Sequence, residues 1–251
     1  MKNIPTMTIT LALVLWLETT QAQVLEASAN NKGTSEYLGN YIVEAANREV
    51  KIQFSVKHSL IEPIPVYLAY SLEGLWLTGE RSAPFRDFAH NPDLFYRQRH
   101  FDFGYEHLSN GQNSRSRGYD GKQIPSVSLQ RLYLRPKWEL PGGLLLSAKL
   151  SAPVYYRTDS EAHDYLGYAD LSLSYEGIWG TAGVAYRQGT KGSRILVQAS
   201  GDWSRLLRRY FKSLRSNTYL MFQAFHGHGE SLQYYSHKTT SYRVGIRFYL
   251  T

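Results

Sequence analysis

The sequence has 251 residues, no cysteine, a formal net charge of +7 and a mean hydropathy of −0.39. This length suits one β domain or two small ones, the low hydropathy excludes a bundle of membrane helices, and the lack of cysteine excludes a disulfide scaffold. The 20 tyrosines, 10 phenylalanines and 20 glycines favour many strands with aromatic anchors.

The N-terminal segment has the pattern of an export signal. A short basic start precedes the apolar run 7–17, and small residues follow that run. Because the run is too short to span a bilayer, we predict a signal peptide over residues 1–22, cleaved after Ala22. Residues 23–36 are polar and show no period, so a flexible leader is predicted there. In an exported chain, the positive charge favours anionic lipid over nucleic acid as a partner.

Alternation of apolar and polar residues recurs through the rest of the chain, for example in VKIQFSVK at 50–57. The predicted strands cover residues 37–46, 48–58, 66–78, 92–98, 100–111, 126–139, 143–156, 164–177, 179–189, 193–207, 216–229 and 239–250. They number about twelve, an even number, as a closed barrel of the bacterial outer membrane requires. Several run for about ten residues or more, which suits tilted strands that cross a membrane.

We therefore predict that residues 37–251 form one all-β domain, a closed antiparallel transmembrane β-barrel. Strands such as GLLLSAKL at 143–150 mix apolar and charged positions. A wide barrel accommodates both, since apolar residues face lipid, polar residues face the lumen, and closure removes the strand edges. The alternative, a soluble lipocalin-like barrel or sandwich, would have to bury a charged face.

A histidine and a serine stand two positions apart near the end of the strand predicted at 100–111. Phe101, Phe103, Tyr105, His107 and Ser109 share one face by the period of two. The aromatic residues indicate that this face is the exterior, near the membrane boundary. Residues at this spacing lie about 7 Å apart at Cα, and their side chains can lean into hydrogen-bond reach, as activation of a serine by histidine requires.

The strand predicted at 126–139 supplies a candidate third member. Its outward set is Ser128, Gln130, Leu132 and Leu134, and its lumen set includes Arg131, Tyr133 and Arg135. An amide carbonyl can accept a hydrogen bond from the histidine ring without adding charge near lipid. The pattern therefore predicts a Ser-His-Gln triad of Ser109, His107 and Gln130.

These residues carry a family resemblance. The stretch HLSNG at 107–111, followed by Ser126 and by QRLY at 130–133, resembles bacterial outer-membrane phospholipase A. Further blocks occur in the family's order: YLGNY at 37–41, SAPFR at 82–86, PDLF at 92–95 and GESL at 229–232. Together they span essentially the whole of the predicted barrel.

The resemblance implies a twelve-stranded outer-membrane barrel that hydrolyses acyl esters of membrane phospholipids (phospholipase A1, A2 and lysophospholipase), needs Ca²⁺ and acts as a homodimer. It implies that Ser109 is the nucleophile and His107 the general base. Gln130 stands where the family more often has asparagine. The amide of Gly111 matches a family contributor to the oxyanion site.

The resemblance also implies a set of calcium ligands. These are the backbone of Gln112, Ser126, and the carbonyl of Ser82 from a second subunit. An alternative alignment of the loop makes Ser114 the ligand and leaves Gly118 at the orienting position. We prefer Ser126, because QRLY continues the strand.

Leu72 occupies the position of a buried glutamine in the family's dimer interface, so that polar contact is absent, although apolar strand faces still allow pairing. His226-Gly227-His228 looks like a metal-binding pair, but beside glycines we interpret it as a solvated turn without a metal.

Two other functions remain open for such a barrel: a non-enzymatic porin or structural barrel, and a lipopolysaccharide (lipid A) deacylase.

Overall fold

The computed structural model describes residues 33–112, 121, 123, 125–155, 160–204 and 218–249. The predicted signal peptide, most of the predicted leader, Ser114 and Gly118 lie outside these residues. The strands are β1 (Thr34–Glu36), β2 (Asn40–Ala45), β3 (Glu49–Ile61), β4 (Val66–Leu77), β5 (Phe85–Arg97), β6 (Phe101–Ser109), β7 (Ser128–Leu140), β8 (Leu144–Tyr155), β9 (Ala169–Gly177), β10 (Gly180–Gln188), β11 (Ser193–Gly201), β12 (Thr218–His228) and β13 (Lys238–Phe248), and the helix α1 is Ser160–Leu166.

The strands close into a barrel. Each strand from β2 to β13 pairs antiparallel with its neighbour in sequence, and β13 pairs with β2. The short β1 lies on the same edge of β3 as β2 does, against the other half of β3, so β1 and β2 share one position in the wall. Gly39, at φ +106°, lies in the break between them. The prediction of a closed all-β barrel of about twelve strands is confirmed.

Three local predictions were wrong. Strand β5 begins at Phe85 rather than at 92; Asp87, Asn91 and Pro92, residue types that disfavour strands, lie inside it. Residues 164–166 end the helix α1 instead of opening a strand, and β9 starts only at Ala169. The helix buries Ala162 and Leu166, which are spaced for a helix, and Gly167 ends it at φ +84°. The pair at 226–228 ends strand β12 instead of forming a turn.

The two faces of the wall differ as predicted. Phe103, Leu134 and Tyr242 lie on the outside, with 49%, 44% and 66% of their surface exposed. Between them in sequence, Asp102, Glu106, Arg131, Tyr133 and Arg243 are buried in the lumen. No helix in the part of the chain that the structure describes is long and apolar enough to cross a membrane.

Charged side chains in the lumen pair with one another. Glu106 accepts from Arg131 at 2.8 Å and from Lys149 at 2.6 Å, and Asp102 accepts from Lys137 at 2.8 Å. Arg243 lies between Glu49, at 2.6 Å, and Glu230, which anchors the loop after β12. These ion pairs tie neighbouring and distant strands together across the lumen and compensate for the burial of charge.

Replacing Arg243 with methionine leaves Glu49 and Glu230 without this shared partner. Arg243 is 1% exposed, so we expect Arg243→Met to lower the free energy of unfolding by about 3–5 kcal/mol. The measurement is urea unfolding of the refolded barrel in detergent micelles. The control is Arg99→Met, which removes an ion pair with Glu139 whose arginine is 71% exposed, and it should cost less than about 1 kcal/mol. Equal unfolding midpoints for the two variants would contradict the role given to Arg243.

Candidate active site

The three residues of the predicted triad lie together on the outside of the barrel. His107 and Ser109 are at the end of β6, half-buried and on the face that carries Phe103. His107 is directly opposite Gln130 on β7, and Ser109 is opposite Ser128. Side chains directly opposite on antiparallel strands share a face, so this register brings the hydroxyl, the imidazole and the amide to one exterior patch.

Tyr105 holds the amide of Gln130. Its hydroxyl donates a 3.0 Å hydrogen bond to Oε1 of Gln130. Among the described residues, no hydrogen bond joins His107 to Ser109 or to Gln130. A carbonyl oxygen accepts two hydrogen bonds, so Gln130 can serve Tyr105 and His107 together, and bonds of this kind commonly tighten only when substrate is present. The alternation along the strand correctly predicted that Tyr105 lies on the exterior face, but no role was predicted for it.

A β-bulge adjoins Gln130 on its other side. Gln130 is paired with Tyr155 of β8, whereas Arg131 is paired with Pro153, so Val154 is an extra residue in that strand. Proline has no N–H to donate to the ladder, and such bulges re-aim neighbouring side chains. The wall is therefore locally offset beside the residue whose side chain is one methylene longer than the family's usual asparagine.

An apolar cluster supports the site from inside the barrel. Leu108 and Leu129 alternate with the outward residues and point into the lumen. They pack with residues from the loop before β7, from α1 and from the loop after β12: Val127, Ala162, Leu166 and Leu232. Packing on this side holds the backbone of β6 and β7, so the outward side chains are presented from a rigid wall.

Asn110 joins the ends of the two strands. It is 1% exposed, and its side-chain Nδ2 donates to the carbonyl of Pro125 at 2.7 Å. Its Oδ1 accepts from the backbone N–H groups of Val127, at 3.1 Å, and Gln112, at 3.3 Å. One amide thus holds the segment after the serine beside the segment that contains Ser126.

Gly111 follows in a left-handed conformation, with φ +64°, which glycine adopts without strain. A Cβ at this position would lie 3.4 Å from the ring of His90. His90 belongs to β5 and is directly opposite Ser109 on the side away from β7. The strand predicted from the sequence began at 92 and so did not include His90, although the same alternation extended toward the N-terminus places His90 on the exterior with Leu94.

The predicted calcium ligands form a set of neutral oxygens. Gln112 and the residues on either side of Ser126 are held by the same Asn110, so the Gln112 carbonyl and the Ser126 hydroxyl belong to one loop cluster. Carbonyl and hydroxyl oxygens are the hard donors that Ca²⁺ prefers, so the residues fit this ion. In the described ranges, no group of three histidine, aspartate or glutamate side chains could hold a metal.

The residues predicted to meet a second subunit lie at the same end of the barrel. Ser82, with φ +67°, is exposed in the turn between β4 and β5, and the indole of Trp76 donates to the neighbouring Ala83 carbonyl at 2.7 Å. Leu72 lies on β4 directly opposite His90, so it borders the site.

His226 and His228 have separate partners, the Thr240 hydroxyl at 2.7 Å and the Ser193 carbonyl at 3.4 Å.

Removing the Asn110 side chain should loosen the junction of β6 and β7. Asn110→Ala leaves the N–H groups of Gln112 and Val127 without this acceptor in a buried position, which costs about 1–3 kcal/mol. We expect faster hydrogen exchange at these two amides in the folded barrel, with little change at Leu132. The control, Gln112→Ala, keeps the backbone N–H that Asn110 binds and should leave the exchange at Val127 unchanged. Unaltered exchange in Asn110→Ala would show that the loop is held by other contacts.

Comparison with known proteins agrees with this geometry. The family model described as phospholipase A1 matches residues 7–248. A putative phospholipase A1 of Neisseria meningitidis serogroup B is 24% identical over 225 residues, which are 80% of this chain and 54% of that protein. The chain thus spans about half the length of this curated relative.

Solved structures share the fold. Outer membrane phospholipase A from Escherichia coli superposes with a TM-score of 0.66 at 24% identity, covering 85% of this chain and 90% of that one. The outer membrane phospholipase of Salmonella typhi, described as a dimer with bound calcium, gives a TM-score of 0.65 at 23% identity over 87% and 93% of the two chains. The match of the family model over nearly the whole sequence confirms the resemblance: this chain belongs to the phospholipase A1 family.

Proposed function

We propose that this protein is a calcium-dependent phospholipase of the bacterial outer membrane that hydrolyses acyl esters of glycerophospholipids. One observation carries the proposal: His107 and Ser109 lie on the outer wall of a membrane barrel, opposite an amide on the next strand. An ester hydrolase whose nucleophile faces the bilayer takes its substrate from the membrane. The family match and the barrel fold support the same reaction and the same location.

Ser109 is the proposed nucleophile. Its oxygen attacks the acyl carbonyl while His107 removes the hydroxyl proton, and His107 then gives that proton to the oxygen of the departing lysophospholipid. A water that His107 deprotonates hydrolyses the resulting acyl-enzyme and restores the serine. Because glycerophospholipids and lysophospholipids carry the same ester, this chemistry covers phospholipase A1, A2 and lysophospholipase activity.

Gln130 is the proposed orienting residue for His107. It lies opposite His107, and the hydroxyl of Tyr105 fixes the direction of its carbonyl. A carboxylate would place a full charge beside lipid, where charge is costly, whereas an amide orients the ring without that cost. The bulge at Val154 lies in β8, on the other side of Gln130, and the register between β6 and β7 is unbroken.

The negative charge that develops on the carbonyl oxygen needs donors. Gly111 lies two residues after Ser109, in a left-handed conformation, and can offer its backbone N–H. The carbonyl of Gln112, the hydroxyl of Ser126 and, from a second copy of the chain, the carbonyl of Ser82 would hold Ca²⁺. When bound, the ion supplies positive charge that stabilises the developing oxyanion.

A homodimer is the proposed active form. A row of rings runs along the exterior of β4 and β5 beside the site, formed by Trp76, Phe85, Phe88, His90 and Tyr70. Leu72 adds an apolar contact next to it, so packing replaces the polar contact that a glutamine would make. The dimeric, calcium-bound state described for the Salmonella protein supports this arrangement.

Substituting the nucleophile tests the proposal. Ser109→Ala should insert normally and lose at least about 1,000-fold in phospholipid hydrolysis in detergent micelles, because no other described group replaces the hydroxyl. A chelator should suppress wild-type hydrolysis, and added Ca²⁺ should restore it. Ser128→Ala, which removes a hydroxyl from the same face directly opposite, is the matched control and should stay active. Undiminished hydrolysis by Ser109→Ala would refute the assignment.

Two rival functions give different results in related assays. A porin or structural barrel would not react with a long-chain sulfonyl fluoride, whereas the proposed enzyme is modified at Ser109 when Ca²⁺ is present. A lipopolysaccharide deacylase would prefer lipid A to glycerophospholipid and would tolerate the chelator.

The orienting role of Gln130 predicts a graded series. Gln130→Leu removes the carbonyl and should lower kcat by about 10- to 100-fold. Gln130→Asn retains an amide and should keep more activity than the leucine variant. Tyr105→Phe leaves the amide in place without its hydrogen bond and should lower kcat less than Gln130→Leu does. Wild-type kcat in Gln130→Leu would exclude this residue from the reaction.

A further inference from the structure

A second histidine lies beside the nucleophile and takes no part in the proton transfers above. His90 is directly opposite Ser109 on β5, so its side chain shares the exterior face with the hydroxyl. It flanks the serine on the side opposite to β7, and Leu72 is its neighbour on β4. The nucleophile therefore lies between His90 on one strand and Ser128 on the other.

One ring nitrogen of His90 is already engaged. Nδ1 lies 2.6 Å from the hydroxyl of Tyr70. A phenol is a stronger acid than a neutral imidazole N–H, and an imidazole nitrogen is a stronger base than a phenolic oxygen, so Tyr70 donates and Nδ1 accepts. In a neutral imidazole the proton then resides on Nε2, which makes that nitrogen a donor.

The donating edge of the ring faces the backbone of Gly111. Nε2 and Cδ2 of His90 both lie 3.4 Å from the position that a Cβ of Gly111 would occupy. Because glycine has no side chain, the ring borders the peptide whose N–H is proposed to bind the oxyanion. The rings of Tyr70 and Phe88, with centroids 6.2 and 6.4 Å from that of His90, flank the imidazole.

We propose that His90 is a second donor to the oxyanion, through Nε2–H, next to the Gly111 amide. This inference rests on the proposed esterase function of Ser109. His90 keeps its proton throughout and transfers none; it donates a hydrogen bond that strengthens as charge develops on the carbonyl oxygen. Tyr70 is a positioning residue that selects the tautomer. The two histidines thus have different roles, His107 as the base and His90 as the electrophilic partner.

The test separates a donor from a base. His90→Phe keeps a ring without a donor, and we expect kcat to fall by about 100-fold with little change in KM. Binding of a long-chain trifluoromethyl ketone, whose serine adduct carries an oxyanion, should weaken by a similar factor. His90→Gln offers an amide N–H and should recover part of both losses. Tyr70→Phe should lower kcat and weaken the ketone in the same direction, but by less.

Matched controls make each outcome decisive. His226→Phe alters an exterior histidine of β12 that is bonded to Thr240, and should leave kcat and ketone binding unchanged. Wild-type kcat in His90→Phe overturns the inference but leaves the proposed function standing. His90→Gln as inactive as His107→Ala points to a base and also overturns it. If the wild type shows no hydrolysis that depends on Ser109, both proposals fail. If His90→Phe does not insert into the membrane, the Tyr70→Phe variant decides the question. Weaker binding of the ketone then supports the inference, and wild-type binding overturns it.

Discussion

The structure depends on one constraint: lipid offers no hydrogen-bond partner to a peptide group. A sheet meets this constraint only when it closes, and here β13 pairs with β2 to complete the ring of strands. Closure leaves two faces of opposite character, so every strand alternates between lipid and lumen. The lumen holds charges that lipid would exclude, and it compensates for their burial by pairing them, as Glu106 does with Arg131 and Lys149.

The same constraint explains the composition of the candidate site. Polar groups on the outer wall are costly in the hydrocarbon region, and here they gather where the strands end near the membrane boundary, where that cost is lower. The group contains no carboxylate, lysine or arginine: it consists of the Ser109 hydroxyl, two imidazoles, an amide and two phenols. It stays in place because the other side of the same strands packs on the cluster around Leu129, while Asn110 ties the strand ends together. The packed interior thus fixes the positions of the exterior side chains.

Much of the fold follows from the sequence because the period of two is strong wherever both faces of a strand are constrained. The outward position of Phe103 and the lumen positions of Arg131 and Tyr133 were predictable from alternation alone. Prediction failed where residue types obscured the pattern. Asp87, Asn91 and Pro92 disfavour strands, although they lie inside β5. Residues 164–166, the end of α1, were taken for strand because the run from Tyr165 to Tyr168 is aromatic and aliphatic and shows no clear helical period.

The sequence by itself determined that His107 and Ser109 share a face, since residues two apart in a strand always do, and that this face is apolar enough to meet lipid. Only the tertiary structure decided their neighbours. That Gln130 lies opposite His107, that Tyr105 holds its amide and that His90 flanks Ser109 all depend on the register between strands. That register is set by the hydrogen bonds between strands, by the bulges and by the hydrogen bonds of the Asn110 side chain. These contacts join residues far apart in the chain.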